Sequence, residues 1–283
     1  MSPRQRPFRF GVVGGRARDA ADWAATARRV EQLGYSTLLA PDSMQVLAPI
    51  PALAAAAAVT ERLRFGTYVL AAPFHNAGEV AWNASTLDLL SGGRFELGLG
   101  AGRPGGESDA ARLGVPYGPP GERVDQLAAL IDGVRDQLSA GHYPKPDRPL
   151  PLLIAGSGKR MLALAAKTAD ILALGVSPQT TEDQLADKVG TLRELAGDRA
   201  EDIELAMSLH TVGPDVPEWV GKQFGLNVPD LLAAEAVSVL TGSSREMADR
   251  LLRRRERSGI SYVITNYSFI EPLAAVIELL DGR

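Results

Sequence analysis

Apolar residues along this chain fall into two recurring patterns, short unbroken runs and longer stretches with a helical period. Both occur within one unit between Leu63 and Gly102. Leu63-Arg64-Phe65-Gly66-Thr67-Tyr68-Val69-Leu70-Ala71-Ala72-Pro73 is a short apolar run closed by proline, as expected of a strand buried on both faces. Residues 79–90 follow with apolar side chains at Val80, Trp82, Leu87, Leu89 and Leu90, and Ser91-Gly92-Gly93 supplies the stop. A second run, Arg94-Phe95-Glu96-Leu97-Gly98-Leu99, ends in Gly100-Ala101-Gly102, where the backbone must turn sharply or approach something closely. Strand, helix and strand within about forty residues form a βαβ unit, which requires a parallel sheet. Its functional end lies where the strands stop.

The same alternation runs through the rest of the chain. Strands are predicted over 8–14, 35–40, 149–155, 170–174, 203–209 and 260–266. Helices are predicted over 19–33, 51–60, 121–138, 160–168, 181–196, 243–257 and 269–280. Residues 211–240 are too long for an ordinary connection and read as an insertion with helices of its own. Strands followed by helices eight times over in 283 residues match a (β/α)8 TIM barrel, a single domain spanning 1–283. The rival is a doubly wound open sheet, with fewer strands and a Gly-x-Gly-x-x-Gly turn after the first. Gly11-Val12-Val13-Gly14-Gly15 lacks that spacing.

Composition narrows the chemistry. A net charge of −4 gives no general attraction to nucleic acid or to an anionic membrane. The absence of cysteine removes disulfides, thiolate catalysis and Cys-ligated metal. Three histidines, His75, His142 and His210, argue against a His-rich metal site, so no metal is expected. Residues 1–10 carry three arginines without the apolar run of a signal peptide, and no later stretch could span a bilayer. The expected location is cytoplasmic.

In a barrel, function belongs to the loops after the strand C-termini. Asp42, in Ala40-Pro41-Asp42-Ser43-Met44, either caps its loop or contacts a ligand. His75 and Asn76 follow the strand over 63–73, and Arg103 and Glu107 follow the Gly100-Ala101-Gly102 turn. Ala155-Gly156-Ser157-Gly158-Lys159-Arg160 is a small loop opening a helix, whose free backbone N–H groups suit a phosphate. A plain helix start with two solvated cations is the alternative, and the Walker spacing is absent. Gly175-Val176-Ser177 offers a second wall to that pocket. The cluster Arg253-Arg254-Arg255-Glu256-Arg257 reads as a solvated face at a helix C-terminus, and Trp23 and Trp82 read as packing residues. No Ser-His-Asp order, carboxylate pair or metal motif emerges. A glycine-rich pocket with few titratable groups suits an organic cofactor that carries the chemistry itself.

At these residues the chain resembles the luciferase-like monooxygenase superfamily, and within it the coenzyme F420-dependent oxidoreductases. The resemblance runs from about Phe10 to Val176 and from Leu240 to Asn266. It rests on Glu31-x-Leu33-Gly34-Tyr35, on Thr86-Leu87-Asp88-x-Leu90-Ser91-x-Gly93-Arg94 with Leu97-Gly98-x-Gly100-x-Gly102, and on Ile154-Ala155-Gly156-Ser157-Gly158. Gly114-x-Pro116-Tyr117 with Arg123, and Leu240-Thr241-Gly242, also match. It implies a deazaflavin or flavin at the strand C-terminal face, backed by a non-prolyl cis peptide that carries over to Tyr68-Val69. Gly100, Ala101 and Gly102 would then line the ring edge, and Ala155, Gly156, Ser157 and Gly158 the phosphate. Asp42, Arg103, Lys159, Arg160, Gly175 and Val176 complete the expected cofactor contacts.

One departure bears on the reaction. Family members that oxidise alcohols or sugar phosphates carry an Asp-His pair where this chain has Asp42-Ser43, and an acid where it has Arg103. A serine is no base near neutral pH without an activating partner. The catalytic candidates are therefore Asp42, Ser43 and His75, none with an assigned role. Reduction of an activated double bond by hydride from reduced F420 fits better than alcohol oxidation. The alternatives are an FMN-dependent monooxygenase of the same fold and a cofactor-binding protein without turnover. A small-molecule substrate is expected, without nucleic acid or membrane. So is a homodimer formed through the alanine-rich residues 52–58 together with Trp82 and Leu87.

Overall fold

The computed structural model describes residues 6–141, 144–213 and 235–283. In chain order it contains β1 (Arg9–Val13), α1 (Ala20–Gln32), β2 (Thr37–Ala40), α2 (Pro49–Ala57), β3 (Arg64–Thr67), β4 (Leu70–Ala71), α3 (Ala77–Leu90) and β5 (Phe95–Gly100). There follow α4 (Glu107–Leu113), α5 (Pro120–Ser139), β6 (Leu152–Ala155), α6 (Lys159–Thr168), β7 (Ile171–Leu174) and α7 (Glu182–Ala196). The chain closes with β8 (Glu204–Ser208), β9 (Thr211–Gly213), β10 (Val239–Thr241), α8 (Ser244–Ser258), β11 (Ile260–Asn266) and α9 (Ile270–Leu280). The large sheet runs β3-β2-β1-β11-β8-β7-β6-β5, with β4 continuing β3 beside β5, and β5 pairs back to β3. The fold is a closed parallel (β/α)8 barrel, as the alternation of patterns predicts.

Two compact units make up the chain. The first contains residues 14–31 and 38–155. There β5 is central and all six of its residues are buried. It pairs Phe65↔Phe95 on one side, Ala71↔Gly100 beyond it, and Gly100↔Ala155 with β6. Helix α1 buries Trp23, Thr26, Ala27 and Val30, spaced by three and four, and the Trp23 indole N–H donates to the Ala52 carbonyl at 2.7 Å. Two motif residues act as clamps in this unit. The Glu31 carboxylate accepts the backbone N–H groups of Glu61, Arg62 and Leu63 at 2.7–3.0 Å. Burial alone would raise its pKa, but the three N–H groups hold it below the usual carboxylate range. Arg94 donates to the carbonyls of Ala57, Leu63 and Ser91, tying the end of α2 to the entrance of β3.

The second unit contains 6–13, 32–37 and the described residues from 156 onward. Here β11 lies between β1 and β8, and β8 pairs β7. The Arg9 guanidinium sits 3.2 Å from Glu204 and 4.1 Å above the Tyr262 ring, a charged pair stacked on an aromatic at the strand starts. Helices α7 and α8 each begin with a capping box, Thr181 with Gln184 and Ser243 with Glu246. Gly259, at φ 79°, ends α8.

Several expectations are corrected. The strand over 63–73 is broken into β3 and β4 by a bulge. Helix α4 went unseen because seven residues leave little periodicity to read. The proposed insertion over 211–240 has strands at its described ends, β9 and β10, paired in parallel. The helices expected within it, and His142, lie outside the described residues. Arg254 and Arg255 are buried rather than solvated. Arg254 donates to Glu182 from Nε and Nη2, and Arg255 stacks over Phe8 at 4.2 Å. Trp82 is 67% exposed, whereas Leu87 is buried in its own chain.

Candidate functional site

The loops that carry the expected chemistry divide between the two units. In the first, Gly98 and Gly100 let strand β5 touch the bulge that follows β3. A Cβ on Gly98 would lie 1.9 Å from the Thr67 carbonyl oxygen, and one on Gly100 would lie 2.5 Å from Val69 Cγ2. The bulge holds a cis peptide between Tyr68 and Val69, as the resemblance implies. The Tyr68 N–H donates to the Ala40 carbonyl at 2.8 Å. Ala71, Gly100 and Ala155 stand side by side on adjoining strands.

Beyond β5, the loop over 101–103 is clamped. Arg123 Nε donates to the Ala101 carbonyl at 2.9 Å, its Nη1 donates to the Gly118 carbonyl, and its guanidinium lies 4.3 Å from the Tyr117 ring centre. The Tyr117 hydroxyl donates to the Arg103 carbonyl at 2.6 Å. Burial raises the Tyr117 pKa, so the hydroxyl keeps its proton for this bond. Gly102 has φ 82°, and a Cβ there would lie 2.3 Å from the Tyr117 oxygen; both facts require glycine. The Tyr117 and Arg123 motif thus holds the backbone that follows the strand-end glycines.

The polar side chains of this unit form two groups. Asp42 Oδ2 accepts the Ala71 N–H at 2.9 Å and lies 2.9 Å from His75 Nε2. Ser43 Oγ donates to Asp109 Oδ2 at 3.2 Å, and Arg103 Nη2 donates to the same oxygen at 2.9 Å. Asp109 is buried with no hydrogen-bond partner for Oδ1, whereas the Arg103 side chain is 49% exposed. Sequence reading missed Asp109. A carboxylate in the first turn of a helix reads simply as a dipole complement. Asn76 is a cap, not a ligand: its side-chain oxygen accepts the Glu79 N–H at 2.9 Å.

In the second unit, Gly158 is the N-cap of α6, with no side-chain cap and no acidic residue in the first turn. A Cβ on Gly158 would meet nothing within 4 Å, so the space beside the cap residue is open. Lys159 and Arg160 are exposed. Ser157 Oγ donates to the Gly175 carbonyl, the Gly156 N–H to the Ala173 carbonyl at 3.0 Å, and the Gly175 N–H to the Gly156 carbonyl at 3.4 Å. These bonds fasten the loop over 156–158 to Ala173 and Gly175. An open, uncapped helix start with basic neighbours is a chemical fit for a phosphate. The hydroxyl of Ser157 is already committed to Gly175, so backbone N–H groups are the available donors. Among the described residues no cluster of carboxylates and histidines could hold a metal, and no helix is long and apolar enough to cross a membrane.

The strand order is that of a parallel (β/α)8 barrel. The chain belongs to the luciferase-like monooxygenase family, whose model matches residues 6–224. An F420-dependent glucose-6-phosphate dehydrogenase from Beutenbergia cavernae is 33% identical over 165 residues, covering 50% of this chain and 48% of that protein. A 4-hydroxyprotoasukamycin monooxygenase from Streptomyces nodosus subsp. asukaensis is 37% identical over 131 residues, 44% of this chain and 32% of that protein. Among solved structures, an F420-dependent secondary alcohol dehydrogenase in complex with an F420–acetone adduct superposes with a TM-score of 0.74. It is 18% identical and covers 98% of this chain and 100% of its own, a likeness of fold.

Proposed function

We propose that this protein is a coenzyme F420-dependent oxidoreductase that moves hydride between the deazaflavin and a small organic substrate, in the reductive direction. The observation that carries the reading is the start of α6: uncapped N–H groups with open space beside the cap residue, followed by exposed Lys159 and Arg160. N–H groups there hold the coenzyme's phosphate, and the two cations attract the carboxylates of the oligoglutamate tail beyond it. In the first unit, the loops over 68–69 and 100–103 are made rigid by Thr67, Tyr117 and Arg123. The bound coenzyme supplies the hydride; the chain supplies orientation and exclusion of water.

The glucose-6-phosphate dehydrogenase relative supports the choice of coenzyme. The monooxygenase relative favours a second reading, FMN-dependent oxygenation, because FMN shares the ring, ribityl chain and phosphate. Mass spectrometry of ligand released after expression in a host that makes both cofactors separates the two. F420 is the expected species; FMN in its place supports the oxygenase. We also propose a homodimer built on α3, whose Trp82, Leu89 and Leu90 are more than half exposed.

A further inference from the structure

Asp42 and His75 come from different loops, yet the fold places a carboxylate oxygen of one 2.9 Å from a ring nitrogen of the other. Asp42 Oδ2 also accepts the Ala71 N–H, which has no other role to play than donor. A carboxylate oxygen can only accept, so the proton of the Asp42–His75 bond sits on His75 Nε2. Nδ1 is left without a hydrogen-bond partner among the described residues. The pair is half-withdrawn from solvent, with His75 21% and Asp42 13% exposed. A histidine fixed in one tautomer by a carboxylate, with its second nitrogen free, is a preorganised proton carrier.

Ser43 is excluded from that role. Its hydroxyl proton is given to Asp109, and the same Asp109 oxygen is held by Arg103. Arg103 pairs with Asp109, and Glu79 accepts from the Asn76 amide. Asp109 Oδ1 also lacks a partner, but Asp109 is buried. Between the candidates Ser43 and His75, it is His75 that offers a partly exposed site able to hold and release a proton.

We propose that His75 is a catalytic acid–base and Asp42 its positioning residue, and that the substrate carries a carbonyl or hydroxyl at the reacting carbon. The inference rests on the F420 reading. In reduction, hydride from the reduced deazaflavin adds to the carbonyl carbon, the C=O π electrons move to oxygen, and the His75 imidazolium gives that oxygen its Nδ1 proton. The products are an alcohol, the oxidised coenzyme and a neutral imidazole, which regains its proton from solvent. Reversed, Nδ1 takes the hydroxyl proton. The sequence pair Asp42-Ser43 therefore does not deprive the protein of an acid: the loop after β4 supplies it.

The test combines two variants and three readouts. His75→Gln keeps an N–H for Asp42 but carries no exchangeable proton at the Nδ1 position; Asp42→Asn keeps the size and weakens the orientation. Nitrogen-15 NMR of histidine-labelled wild type is expected to show neutral His75 as the Nε2–H tautomer, and Asp42→Asn to mix the tautomers. With reduced F420 and a panel of aldehydes and ketones, His75→Gln is expected to lower kcat by about 10²–10⁴-fold. It should also flatten the pH profile of kcat relative to wild type, while KM changes little. F420 affinity, read by fluorescence quenching, should stay within about twofold in His75→Gln. An Nδ1–H tautomer in wild type overturns the proposal. So does kcat retained in His75→Gln, or wild type with bound coenzyme reducing no carbonyl in the panel. Failure of wild type to bind F420 overturns the coenzyme reading instead, and the tautomer still judges the pair.

Discussion

Thr67 and Gly98 exchange two hydrogen bonds: the Thr67 hydroxyl donates to the Gly98 carbonyl at 2.7 Å and accepts the Gly98 N–H at 2.9 Å. The pair locks β3 to β5 just before the Tyr68–Val69 bulge. A methyl group at Gly98 would sit 1.9 Å from the Thr67 carbonyl oxygen, which is backbone and cannot rotate away. Gly98→Ala is therefore expected to destabilise the fold by about 3 kcal/mol through overpacking. Urea denaturation checks it, and a loss below about 1 kcal/mol would show that β5 can shift to make room.

Glu31 should govern part of the acid stability. Its folded-state pKa lies below the unfolded value, so its contribution is complete above the usual glutamate range and is lost as pH falls through the folded pKa. Glu31→Gln is expected to cost about 1–2 kcal/mol near neutral pH, because charged acceptors make the stronger bonds. The difference between variant and wild type should shrink as pH is lowered beneath about 4. Denaturation curves at several pH values test both statements; a pH-independent difference would assign the effect to packing.

Trp82, Leu89 and Leu90 recur on α3 at helical spacing and are exposed by 67, 56 and 64%. The proposed homodimer would cover this face. Trp82→Glu should shift the protein toward monomer in sedimentation velocity at micromolar concentration, with unchanged thermal stability. Wild type that sediments as a monomer contradicts the homodimer.

Gly158→Asp separates a phosphate site from an ordinary helix start. Gly158 has φ −72°, and a Cβ there meets no atom within 4 Å, so the substitution is sterically tolerated. An aspartate at an N-cap normally stabilises a helix. It would also fill the open space with negative charge and satisfy the N–H groups a phosphate needs. F420 affinity is expected to fall by about tenfold or more while the Tm holds or rises. Unchanged affinity would detach the coenzyme from this loop.

Much of the fold was legible because buried parallel strands read as unbroken apolar runs and the helices between them carry their own stops. The site was legible only in part. Gly100 and Gly102 announced close approach, and the structure names what approaches, Val69 and Tyr117; the tighter contact of Gly98 with Thr67 had no such signal. The charged motif residues Glu31, Arg94 and Arg123 gave the family away, yet each holds backbone carbonyls or N–H groups. Their role in this chain is geometric. The Asp42–His75 pair could not be read, because 33 positions separate the two residues and only the barrel brings their loops together. Asp109 was hidden for the same reason, standing 66 positions from Ser43.

The choice of coenzyme is the central claim, and its most direct measurement is a fluorescence-quenching titration of F420 and FMN at two salt concentrations. Both ligands carry a ring, ribityl chain and phosphate, so these shared parts do not discriminate between them. Only F420 extends carboxylates past its phosphate, where the exposed Lys159 and Arg160 stand. Attraction between exposed charges is modest and is screened within about 10 Å at 0.1 M salt. F420 should bind more tightly than FMN at low ionic strength, and its advantage should narrow as salt is added. Equal affinities, or a preference for FMN, would contradict the F420 assignment and favour the flavin monooxygenase.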